Sequence, residues 1–257
     1  MPGAAPDPGR GQFSWEATMT DERPIAFQRA RSAEQREMRK QAILDAATQL
    51  LGEMPVGEIS LRELSRRVGL SKTNVVRYFE TREAVFFELL NRMLARWIEE
   101  LSADLDPTAT GSAEPTGPTE PAGPAGPAAP EAVTHTLARS LAERPLLCGL
   151  FSALGSELER NISAEAVREF KLAHVRLLGE LADLLRRHLP ELSPAAAREL
   201  VSMTVVYTGG LWPFAHPSDA VAEAQRAPGL ADTKVDFAAH LGRTLHLTVT
   251  GLLTVRT

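Results

Sequence analysis

The twenty residues from Ser60 to Phe79, SLRELSRRVGLSKTNVVRYF, constrain the chain more than any other stretch, because they spell two short helices joined by a tight glycine turn. Ser60 is a strong N-cap and Glu63 follows three residues later, the capping-box spacing that satisfies the first free backbone amides and starts a helix at Leu61. Leu61, Leu64 and Val68 recur at helical spacing while Arg62, Ser65, Arg66 and Arg67 fill the other positions, so this helix is amphipathic and basic. Gly69 takes at low cost the positive φ that ends a helix. Ser71 then caps a second helix carrying Lys72, Thr73, Asn74, Arg77 and Tyr78, side chains suited to phosphates and base edges. The pair reads as a DNA-binding helix-turn-helix.

Charge agrees with that reading once it is taken locally. The 257-residue chain carries a formal −5, which argues against a generally basic nucleic-acid coat protein. From Ser60 to Arg82, six Lys/Arg stand against two Glu, a local +4 that leaves −9 on the remainder. One basic patch on an acidic body favours a localised DNA contact. A 44% hydrophobic content is ample for a sizeable core. A single cysteine, Cys148, forms no internal disulfide, so a reducing cytoplasm is the expected compartment. It sits in the apolar run LLCGLF and reads as a buried packing thiol. The first residues lack an apolar signal region, and no stretch reaches eighteen consecutive apolar residues, so neither secretion nor a membrane span is expected. Met19 heads a plausible alternative start, which leaves residues 1–18 open as part of the native protein.

Along the chain, residues 1–34 are rich in Pro, Gly and charge and are expected to form a disordered N-terminal arm. Arg23, Arg29 and Arg31 there are either inert or a basic arm that reaches DNA. Residues 35–80 are expected to hold the DNA-binding domain. Its first helix runs from about Glu34 to Leu51, with Ile43, Ala46, Ala47, Leu50 and Leu51 on one buried face. Val56 and Ile59 plug the small core from the following loop. Thr81 caps a connecting helix over 81–105. Residues 106–130 contain seven prolines and four glycines in 25 positions, the composition of a linker. From 131 to 257 the pattern is helical again, with elements over 131–144, 146–160, 164–189, 194–207, 218–225 and 233–255. Between the fourth and fifth of these, TGGLWPFAHPS at 208–218 is expected to break the helix.

With AILDAATQLL before the helix-turn-helix and TREAVFFELL after it, residues 39–94 resemble the DNA-binding domain of the TetR family of transcriptional regulators. The resemblance covers about a fifth of the chain. It implies an all-α fold: an N-terminal three-helix helix-turn-helix domain plus a C-terminal helical domain for ligand binding and dimerisation. It also implies a homodimer whose reader domains enter successive major grooves of operator DNA, with an unknown small-molecule inducer in the body. Helices over 194–207 and 233–255 fall where the family builds its dimer interface. The match has departures. Val76 stands where many members carry a phosphate-binding tyrosine, and Arg77 and Tyr78 are the nearest substitutes. Arg82 replaces the usual lysine and remains cationic.

Within the reader, Ser71 caps the recognition helix and the early residues Lys72, Thr73 and Asn74 are the candidates for base readout, lysine favouring guanine and asparagine adenine. Arg66, Arg67, Arg77, Tyr78 and Arg82 are the candidates for phosphate contacts. In the body, Phe151, Phe170, His174, Trp212, Phe214 and His216 are the candidate ligand pocket, against the plainer reading of aromatics packed at helix ends. The six histidines are scattered without a metal-ligand spacing, and no cofactor motif is present. No nucleophile elbow, P-loop or Cys/His pairing points to an enzyme. The expected function is a ligand-responsive repressor bound to a near-palindromic operator. The alternative is a helical dimeric adaptor for other proteins that has lost specific DNA binding.

Overall fold

The computed structural model describes residues 23–106, 129–160 and 162–255, whose regular structure is all helix, without a strand. Ten α-helices are described: α1 Arg23–Leu51, α2 Leu61–Val68, α3 Lys72–Val76, α4 Arg82–Leu105, α5 Pro130–Ala142, α6 Pro145–Ala153, α7 Ala164–His188, α8 Pro194–Ala215, α9 Asp219–Ala224 and α10 Phe237–Thr254. A 3-10 turn, Val56–Glu58, precedes α2, and a π turn, Leu154–Leu158, extends α6. The all-α fold anticipated from the sequence is the fold observed.

Helix starts follow local chemistry. The side chains of Ser60, Ser71, Thr81, Ser163, Ser193 and Asp236 each accept a backbone N–H three residues on, so six helices begin with one of their free amides satisfied. Only half of the capping box forms at Ser60, because the Glu63 carboxylate is taken by Arg66. Gly69 closes α2 at φ +73°, in the left-handed region, and its N–H reaches back to Arg66. Gly52 ends α1 with its N–H on the Thr48 and Gln49 carbonyls.

The chain divides into two compact units, residues 1–39 and 40–257, and the division falls inside α1. In the first unit, α1 begins at Arg23 rather than near Glu34, so residues 23–34 are helix and not the disordered arm expected for them. Pro24 is no obstacle, because the first helical amides have no intrahelical partner to lose. The rest of that arm, and linker residues 107–128, lie outside the described residues.

In the second unit, α4 is the central element. Val85, Phe86, Leu90, Leu94, Trp97 and Leu101 are all at most 1% exposed. Burying each such side chain contributes about 1.5–3 kcal/mol. The Trp97 indole N–H donates to Ser140 Oγ at 3.0 Å, and that hydroxyl donates to the Leu137 carbonyl, so the polar atoms joining α4 to α5 are satisfied. Cys148 is fully buried, with its thiol 3.2 Å from the Leu141 carbonyl, and burial pushes its pKa up to about 12. A thiol held protonated this firmly is a packing group.

The expected break at 208–218 does not occur until His216, because α8 runs on through Gly209, Gly210 and Pro213. Gly209 is where α8 meets α6: a Cβ there would lie 2.9 Å from the Phe151 carbonyl oxygen. The glycine serves a close helix approach rather than a turn. Pro213 sits near the C-terminal end, where its missing N–H removes only one bond to the preceding turn.

Candidate nucleic-acid interface and adjoining groove

Helix α3 is five residues long and presents most of its surface. Ser71, Lys72, Thr73 and Asn74 are exposed, while Val75 is fully buried and anchors the helix. The N–H groups of Tyr78 and Phe79 both bond the Val75 carbonyl, so Arg77 and Tyr78 lie on a closing turn and not within the helix. Arg77 is exposed and Tyr78 half-buried; Phe79 is buried, with Lys40 Nζ 5.6 Å from its ring centre. Val76, at 41% exposure, is an apolar spot on the otherwise polar face.

The basic patch is partly neutralised from within. Arg66 pairs with Glu63, and Arg67 makes a two-pronged bond to Glu53 at 2.8 and 2.5 Å. These guanidiniums hold both carboxyls below the usual carboxylate range, chiefly through the hydrogen bonds. Lys72 and Arg77, by contrast, have no ion pair among the described residues. With Arg62, likewise exposed and without an ion pair among the described residues, they are the cations most ready for a new anion.

Arg82 is placed differently from the expectation of a phosphate-facing cation. Its Nη1 donates to the carbonyls of Val56, Gly57 and Ile59 at 3.0–3.1 Å, and its Nε to Glu83 at 2.8 Å. Glu83 is only 4% exposed. The first residue of α4 therefore clamps the Val56–Glu58 turn. A long, always-charged fork at a helix start reaches inward when three carbonyls converge on it.

The six expected pocket residues do not converge. Phe170 stacks on Phe87 at 4.0 Å and on His174 at 5.0 Å. His174 Nδ1 lies 2.9 Å from Asn91 Oδ1, and burial first, then Lys171, lowers its pKa to about 4. Phe151 is buried against α8 through its backbone, and Phe214 is 68% exposed. Trp212 and His216 stack at 3.6 Å, with Phe237 edge-on to the indole, and these two do border a cavity. That groove, about 410 Å³, has Met54 and Val56 on the reader side and Ala153, Glu157, Trp212 and His216 on the body side. Met54, Val56 and Glu157 were not foreseen. Gly57 is the one sequence trace of that wall: a Cβ on it would lie 2.8 Å from Glu157 Oε2, yet nothing local names the carboxylate it makes room for. Among the described residues, no three His, Cys, Asp or Glu side chains gather as a metal site. None of the described helices is long and apolar enough to cross a membrane.

Known proteins bear out the architecture. Residues 43–89 match the family described as bacterial regulatory proteins, tetR family, and residues 91–256 match the tetracyclin repressor-like, C-terminal domain. The HTH-type transcriptional regulator RutR of Escherichia coli (strain K12) is 32% identical over 65 residues, 25% of this chain and 31% of that protein. The match thus spans under a third of the length of the curated relatives. Among solved structures, the transcriptional regulator FadR from Bacillus subtilis, in complex with stearoyl-CoA, superposes with a TM-score of 0.50 at 16% identity, over 82% of this chain and 98% of that one. A TetR transcriptional regulator from Rhodococcus sp. RHA1 gives 0.48 at 14% identity, over 84% and 97%.

Proposed function

The chain belongs to the TetR family of bacterial regulatory proteins, and from that premise we propose that it is a cytoplasmic, homodimeric, ligand-responsive repressor of a near-palindromic operator. The observation that carries the proposal is α3: Lys72, Thr73 and Asn74 stand exposed on a helix fixed by Ser71 at one end and by buried Val75 and Phe79 behind it. Early positions of a recognition helix reach base edges, and residues 72–74 serve that role here. Arg77 and Tyr78, with Arg66 and Arg67 once they exchange carboxylate for phosphate, set the register on the backbone. Arg82 contributes by holding the turn behind the reader.

The reader spans residues 35–80, the connecting helix 81–105 and the body 131–257, with 106–130 as linker. Exposed Val206 on α8 and Leu247 on α10 support a dimer face on these two helices. Two-fold symmetry then requires symmetric half-sites about one helical turn apart or a multiple of it, ~34–36 Å. An inducer acts by binding better to a dimer whose readers are spaced wrongly for DNA, with α4 as the lever.

Genome-wide mapping of bound DNA supplies the operator, and a salt titration on it tests the reading. Binding through several phosphates falls steeply as salt rises. Affinity that is negligible for every mapped duplex, or flat with salt, refutes the proposal. Val206→Arg with Leu247→Arg is expected to give monomers on sedimentation; a dimer unchanged by both refutes the interface.

A further inference from the structure

We propose that the groove between the Val56–Glu58 turn and helices α6 and α8 binds a small amphipathic organic cation, with Glu157 as its counter-charge. Its volume of about 410 Å³ falls in the range of small-molecule sites, roughly 300–1,000 Å³. Most of its wall is apolar, from Met54, Val56 and Ala153, and Trp212 adds an indole. Glu157 is the one charged side chain among the described residues that line it; neither lysine nor arginine does.

Glu157 is half-buried, and its side chain has neither an ion pair nor a hydrogen bond among the described residues. A carboxylate with no cationic partner of its own, set beside apolar walls, offers its charge to a cation that enters the groove. The electron-rich face of an indole attracts a desolvated ammonium. A fatty acid or another anion places like charge against Glu157. A bare metal ion finds one carboxylate and no further anionic ligand. The apolar wall therefore selects an organic body, and the carboxylate selects its sign.

The site also has a route to the reader. The turn that forms one wall presents Gly57 to Glu157 on one side and its carbonyls to Arg82 on the other. A ligand drawn to Glu157 pushes on the element that α4 grips. This step rests on the ligand-responsive reading above, whereas cation binding itself does not.

Calorimetry on the full-length protein tests it, with tetraphenylphosphonium and decyltrimethylammonium as probes and decyl sulfate as the anionic match. Both cations are expected to bind, decyl sulfate at least tenfold more weakly than decyltrimethylammonium. Glu157→Gln is expected to weaken both cations at least tenfold, and Ser152→Trp, at a residue that lines the groove, to fill it and abolish their binding even if the first variant misfolds. Absence of binding by both cations, or binding untouched by either variant, overturns the proposal. Operator affinity is read in parallel with the cations present. Glu157-dependent binding that leaves operator affinity unchanged upholds the cation site and refutes ligand response through it.

Discussion

Asn91 on α4 and His174 on α7 are joined by a 2.9 Å contact between Oδ1 and Nδ1, and the Asn91 amide nitrogen donates to the Phe170 carbonyl at 3.4 Å. With that nitrogen committed, Oδ1 is the acceptor and the neutral imidazole carries its proton on Nδ1. The pair ties α4 to α7 next to the Phe87–Phe170 stack.

Protonating His174 leaves that bond in place but puts a charge in a buried site, with Lys171 adding repulsion. Its pKa is 6.5 when free and about 4 in the fold, so between those values the unfolded chain binds the extra proton. The contribution to stability is whole above about pH 6.5 and is lost as pH falls toward 4, roughly 3 kcal/mol in all. Urea melts at pH 7.5 and 4.5 are expected to show a larger acid loss in the wild type than in His174→Gln. Equal losses refute the assignment.

Arg82→Ala is expected to destabilise the protein by about 3 kcal/mol in the absence of DNA, because it strands buried Glu83 and frees three carbonyls. Arg82→Lys recovers only part of this, since one ammonium does not reproduce the fork. A residue that served phosphate alone would leave the melting midpoint unchanged.

Gly209 and Gly210 are adjacent in α8 and are expected to respond oppositely to alanine. At Gly209 the new methyl meets the Phe151 carbonyl at 2.9 Å, costing about 1–3 kcal/mol. At Gly210 nothing lies within 4 Å, and the gain in helix propensity is about 0.5–1 kcal/mol. Thermal unfolding of the two variants gives the signs.

Asn74→Ala is expected to cost ~1–3 kcal/mol on the operator and to relax preference at one base pair. Arg77→Ala is expected to weaken every duplex alike and to lower the salt slope by about one. Titrations against the operator and single-position variants separate the two. An Asn74→Ala protein with unchanged affinity and preference removes that residue from base readout.

What was legible in the sequence was local. Ser60, Ser71, Thr81 and Ser193 announce their helices because a cap reaches only three residues along the chain, and Gly69 because its φ is set by the turn itself. Gly209 misleads for the converse reason: its demand comes from Phe151, on another helix, so a packing glycine reads as a breaker. Arg82 reads as surface charge because the carbonyls it serves lie 23–26 residues upstream. The aromatic candidates share a chemistry but not a direction. Trp212 and His216 border a groove, Phe170 and His174 pack against α4, and Phe214 faces solvent. Glu157 carries no motif; its significance comes from the company it keeps.

The clamp at the head of α4 has a mechanical consequence. A helix of 24 residues is about 36 Å long. Arg82 ties the Val56–Glu58 turn to the first residue of this helix, so a tilt of the helix carries the turn with it. A tilt of about 3° where the helix is seated in the body swings its far end by ~2 Å over that length. In the dimer proposed above the two swings add, so a tilt of about 3° at each seat becomes a misfit of ~4 Å between the two readers.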